Sequence, residues 1–279
     1  MTSVETELVE QRGRDTTMGQ ISRAIRKRKR CTRRIKRLPP PPPASSDLLQ
    51  RLYDSCRFVF KGAGVVPPPC DVEKLCRILD GMRPEDVGLS KDLQFFKPSC
   101  AIKTHPRVTK TTIYECKNFS LCIFFMPANA VIPLHNHPEM TVFSKLLLGT
   151  MHIKSFDWVD QNGSVGSDPS SRRRLAKLEA DELYTAPCDT SVLYPTTGGN
   201  MHQFTAVTPC AVLDVIGPPY STDEGRDCTF YREFPCESPQ NDMEKEGVAY
   251  AWLEEIDDPE ESEMNEVEYM GPQITEFRC

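Results

Sequence analysis

The sequence predicts a mostly β protein, a double-sheet roll or barrel with a few peripheral helices, and three observations carry that reading. Short apolar runs rich in β-branched and aromatic residues crowd the chain after about residue 109. Pro, Gly, Asn or Asp separates them, as turns between strands require. Helical periodicity is confined to two stretches that precede them, and no repeat of roughly 20–50 residues is present.

Composition narrows the class further. At 279 residues, with 39% hydrophobic and 8% aromatic content, the chain can bury a full core. No apolar run approaches the roughly 20 residues of a membrane helix, and the polar, acidic amino terminus has no secretory apolar core, so no membrane partner is expected. The net charge of −6 hides an asymmetry: residues 1–45 hold 12 Lys/Arg against 4 Asp/Glu (+8), the rest 22 against 36 (−14). An acidic body repels nucleic acid, which makes it an unlikely partner for anything but the tail. Twelve cysteines occur without any C-x-x-C pair. Cys76, Cys116, Cys122 and Cys210 sit in apolar runs, where a free thiol acts as a small hydrophobe. A reduced, intracellular protein is the expectation, and a zinc ribbon is not.

In chain order, residues 1–45 are expected to be a disordered, basic and proline-rich tail, and residues 46–279 one folded domain. The basic cluster over 23–37 is followed by five prolines, Pro39 to Pro43, a polyproline II spacer. Such a cluster reads as a nuclear import signal or a nucleic-acid contact, against an inert solvated tail as the alternative. Nucleus and cytoplasm are the expected compartments. Leu48, Leu49, Leu52, Cys56, Val59 and Phe60 then recur at helical spacing, with Ser46 or Asp47 as the cap. A second helix is expected over 71–80, closed by Gly81, both helices packing outside the barrel. Strands are expected over 111–116, 118–126, 141–148, 151–158, 191–194, 202–208 and 211–217, with a late one over 247–253 and a flexible loop over 160–171.

The run VIPLHNHPEMTVFSKLLLG over 131–149 carries the chemistry. In a strand, residues i and i+2 share a face at about 7 Å spacing, so His135 and His137 can converge on one ion while Asn136 points away. His202 follows the Gly198–Gly199 turn and opens another strand-like run, and completes a three-histidine metal site. His105, ahead of Pro106, and His152, sharing a face with Lys154, are read as bystanders. Where many barrel metal sites add a carboxylate, four or five residues after H-x-H, this chain has Thr141 and Val142; Glu139 is a weak further ligand candidate. Imidazole suits iron, copper, nickel and zinc alike. Three neutral histidines leave a dication its full charge and about three open positions, suited to a chelating thiol–amine and O2 beside it. A zinc site that activates water is the competing chemistry.

These residues also carry a family resemblance. Residues 133–158, the run GGNMHQF over 198–204 and LDVIGPPY over 213–220 resemble the plant cysteine oxidases, a thiol dioxygenase group related to animal cysteamine dioxygenase. The resemblance covers about residue 48 to Ile274 and leaves residues 1–45 out. It implies a cupin-type barrel and one Fe(II) held by His135, His137 and His202, with O2 as co-substrate. It also implies the reaction: both oxygen atoms added to the sulfur of a protein's amino-terminal cysteine, giving the sulfinic acid. The implied partners are proteins exposing such a cysteine, notably ethylene-response transcription factors, so that the enzyme senses oxygen in a hypoxia response through an N-degron pathway.

Within the resembling motif, Asp214 is expected to orient the substrate amine or a water, and Tyr220 to hydrogen-bond near the oxygen site; a turn-holding Asp214 and a rim-packing Tyr220 are the structural alternatives. Relatives with a Cys–Tyr crosslink read C-x-Y, whereas Cys228-Thr229-Phe230 has phenylalanine there and Tyr231 on the other face, so no crosslink at Cys228 is expected. An acidic body suits a basic peptide after the cysteine. The rivals are a dioxygenase of free cysteine or cysteamine and, outside enzymes, a metal-binding nuclear adaptor. A monomer is expected.

Overall fold

The computed structural model describes residues 46–90, 92–93, 106–159, 172–236 and 248–276. The tail over 1–45, the loop over 160–171 and His105 lie outside the described residues, as do the side chains of Ser46 and Asp47. Two α-helices, α1 (Ser46–Val59) and α2 (Pro69–Gly81), precede twelve strands. The strands are β1 (Thr109–Glu115), β2 (Ser120–Met126), β3 (Val131–His135), β4 (Thr141–Leu148), β5 (Thr150–Trp158) and β6 (Arg173–Thr185). They continue with β7 (Ser191–Leu193), β8 (Met201–Ala206), β9 (Cys210–Gly217), β10 (Phe230–Pro235), β11 (Tyr250–Ile256) and β12 (Asn265–Glu266).

The strands form two sheets. One has the order β12-β1-β2-β9-β4-β7; the other, β10-β11-β6-β5-β8-β3, closes on itself where Phe230 of β10 pairs with His135 of β3. The mostly β barrel with peripheral helices is therefore what the chain forms. Side chains alternate across the first sheet, so Leu121, Ile123, Leu213 and Val215 face the helices. There they meet Leu49, Leu52, Cys56 and Val59 of α1 and Leu75 and Leu79 of α2, all buried at helical spacing. β4 and β9 are buried along their whole length, since helices cover one face and the second sheet the other.

Three expectations change. α2 starts at Pro69, where a proline costs no hydrogen bond, and runs through Gly81; it stops at Met82, whose extended backbone (φ −74°, ψ 143°) still donates to Leu79 O. β6 was not foreseen, because its alternation is carried by Leu, Ala, Lys and Glu, residues that equally suit a helix. The late strand begins at Tyr250, later than the pattern suggests.

Candidate metal centre and its cavity

His135 and His202 are direct partners across the β3–β8 ladder, so their rings leave adjacent strands side by side. The register shifts between Ile132 and His135, around Pro133, which has no N–H to give the ladder. The Pro133 carbonyl instead accepts from His135 Nδ1 at 2.8 Å, leaving Nε2 as the free lone pair. His137 does not share this strand. β3 ends at His135 and Glu139 takes a left-handed turn (φ 58°), so the pleat argument holds for only one of the pair. The same turn leaves Glu139 exposed and outside the cluster, which removes it as a ligand.

What holds His137 is side-chain bonding. The Tyr220 hydroxyl donates to Asn136 O (2.8 Å) and accepts from His137 Nδ1 (2.9 Å), freeing Nε2. On the other side Asn200 bonds both backbone groups of His137: its Nδ2 donates to His137 O (2.8 Å) and its Oδ1 accepts from His137 N–H (3.2 Å). The outcome is convergence. His137 Nε2 and His202 Nε2 lie 3.0 Å apart, and ligand atoms of all three histidines fall within 4.8 Å of one another. Burial pushes His135 down to about 4 and holds His137 and His202 well below the usual imidazole range, with the neighbouring rings adding to it. Three neutral imidazoles with inward lone pairs fit one divalent transition-metal ion, without a carboxylate ligand.

The cluster opens into a cavity of about 350 Å³. Phe124, Ile132, Phe204 and Phe230 give it apolar walls, and Asp214, Cys122 and Tyr220 give it polar groups. Asp214 lies in a row across the sheet, Thr112–Cys122–Asp214–Ser144. Burial pushes its carboxyl up to about 7, with neighbouring Ser144 holding it down only in part, and Asp214 Oδ1 has no partner. Such an orphaned acceptor is costly unless a ligand meets it. Cys228 lies beside the Tyr220 hydroxyl, so the tyrosine next to that thiol comes from eight residues upstream rather than from the C-x-Y spacing. Neither Cys228 nor any of the other eight described cysteines is in a disulfide. His152 bonds Asp181 (2.6 Å) on the outside of the barrel. Asn200 and Ser144 were not singled out by sequence, and Cys122 was read only as a small hydrophobe; the asparagine inside G-G-N ahead of His202 was the one available signal.

Comparisons with known proteins identify the family. The family profile PCO_ADO matches residues 78–274. The chain belongs to the PCO_ADO family. Plant cysteine oxidase 2 of Arabidopsis thaliana is 51% identical over 235 residues, covering 82% of this chain and 83% of its own. Plant cysteine oxidase 1 of the same plant is 48% identical over 238 residues (81% and 80%). The 2-aminoethanethiol dioxygenase of Mus musculus is 30% identical over 254 residues (82% and 97%). Among solved structures, an RmlC-like cupin of Desulfovibrio desulfuricans is 20% identical, covering 44% of this chain and 97% of its own at a TM-score of 0.28. As a PCO_ADO member the chain is a thiol dioxygenase of the cysteine oxidase type, with a three-histidine site at its centre.

Proposed function

We propose that this PCO_ADO protein oxidises the amino-terminal cysteine of proteins to the sulfinic acid, using O2 and an Fe(II) ion held by His135, His137 and His202. The observation that carries the reading is the convergence of three neutral imidazoles at the wall of an open cavity. Bound there, the ion would supply Lewis acidity that favours a thiolate and a redox partner for O2. The overall step is R–SH + O2 → R–SO2H: sulfur is oxidised, both oxygen atoms are reduced onto it, and no further reductant is needed.

The chain's own residues bind and orient. A terminal cysteine carries an amine and a thiol on adjacent carbons, and Asp214 Oδ1 is an unused acceptor for that amine in the same cavity. Tyr220 keeps the His137 tautomer with Nε2 inward. Free cysteine would need a cation inside the pocket for its carboxylate. Among the described residues no arginine lines the cavity, and its one cation, Lys110, lies on β1 at the edge side of the sheet, which favours a peptide. An oxidised amino terminus would act as a degradation signal, so turnover would report oxygen; the basic tail would give access to the nucleus as well as the cytoplasm.

Oxygen uptake with a Cys-initiated peptide, with free cysteine and with cysteamine tests this. Uptake is expected to be fastest with the peptide and abolished by His202→Ala. Faster uptake with a free thiol, or an active His202→Ala protein, overturns the reading.

A further inference from the structure

The strand that carries His135 ends there, and past it the main chain of His137 has one backbone bond, from Met140 N–H to His137 O at 3.3 Å, so side chains complete its placement. Asn200 is the only side chain among the described residues that bonds both backbone groups of His137. Its Nδ2 also donates to Tyr194 O at 2.8 Å, which spends both amide protons on carbonyls fixed by the fold. Asn200 is itself gripped from behind. Asp157, at the end of β5, accepts from Asn200 N–H (2.8 Å) and from Gly199 N–H at both oxygens (3.1 and 3.0 Å). Consecutive N–H groups aimed at one anion make a nest, and this one is possible because Gly198 and Gly199 both have positive φ (81° and 80°). Gly199 has no alternative, since a Cβ there would stand 2.4 Å from Ser155 Oγ. Asp157, Gly199 and Asn200 thus form one chain of bonds that begins in the sheet and ends on the backbone of His137, with Asn200 itself two residues before His202.

We infer that Asn200, seated by the Asp157 nest, is the positioning residue that sets His137 against His202 and so determines the affinity of the three-histidine site for its metal. The inference rests on the three-histidine reading and deepens it. It also gives the run Gly-Gly-Asn-Met-His a physical meaning: glycines to form the nest, asparagine to fix one ligand, histidine to be another. Outer partners that orient metal ligands typically contribute about 10–100-fold in affinity.

Titration of the metal-free protein with Co(II), read by its d–d absorption, tests this without turnover. Asn200→Ala is expected to weaken Co(II) binding by about 10–100-fold and to change the absorption envelope. Asp157→Asn, which keeps the acceptor but removes the charge, is expected to weaken it less, in the same direction. Leu79→Ala, a core change on α2 away from the site, is expected to lower Tm while leaving affinity and envelope as in the parent. If Asn200→Ala does not fold, Asp157→Asn decides. Parental affinity and spectrum in the folded variants overturn the inference while leaving the metal site intact. A parent protein that binds no Co(II), or binds it equally after His202→Ala, overturns the three-histidine reading instead.

Discussion

Asp214 is buried in an otherwise apolar strand with one oxygen unbonded, and burial raises its pKa from 3.8 to about 7. A raised acid keeps its proton in the folded state at a pH where the unfolded chain has released it. Its effect on stability is therefore a loss as pH rises from about 4 to about 7, level above that. Asp214→Asn removes the titration. In the metal-free protein the variant should gain on the parent across that window, reaching as much as about 4 kcal/mol by pH 8. Urea unfolding of both proteins at pH 5 and pH 8 measures this, and a difference that does not grow would contradict it. A dication in the same cavity favours the carboxylate, so metal should shrink the gap. The same variant should lower kcat/KM for a Cys-initiated peptide by about 10–100-fold, the loss of one charge-assisted hydrogen bond.

Where α1 ends, Phe60 lies against Gly217 at the end of β9. A Cβ on Gly217 would meet Phe60 Cδ1 at 2.0 Å, and Phe60 cannot retreat, being packed on Phe119 and Phe143. Gly217→Ala should therefore cost about 1–3 kcal/mol, seen as a lower Tm, and Phe60→Leu in the same chain should return part of it. Equal effects in the single and double variants would rule out the contact. Runs such as 211–217 and 141–148 declared themselves as strands because both faces are buried and apolarity is continuous. β6 did not, since Leu175, Ala176 and Lys177 read as well in a helix, and pairing with β5 and β11 decides between them. His135 and His202 were legible as ligands from strand patterning. His137 was legible by type and spacing but for an incomplete reason, because its placement depends on Asn200 and Tyr220, partners 63 and 83 residues away.

Charge acts over the whole molecule. The acidic stretch between β11 and β12 supplies Ser262 and Met264 to the cavity lining, and the Cys228 thiol, raised first by burial, is raised further by Asp258 and Asp227. Carboxylates thus stand close to the cavity that the proposed peptide would occupy. A Cys-initiated peptide with lysines after the cysteine should react faster than its glutamate counterpart, roughly tenfold at low ionic strength, with the difference fading as salt is added. Rates indifferent to both charge and salt would remove steering from the account. The larger proposal is that His135, His137 and His202 would hold an ion supplying the redox chemistry by which dioxygen oxidises a peptide's terminal sulfur. Its most direct test is to load the protein with Fe(II) under anaerobic conditions, add a Cys-initiated peptide, admit isotopically labelled O2 and weigh the product. The account predicts a sulfinic acid with both added oxygens labelled; a product carrying one labelled oxygen, or a disulfide with none, would contradict it.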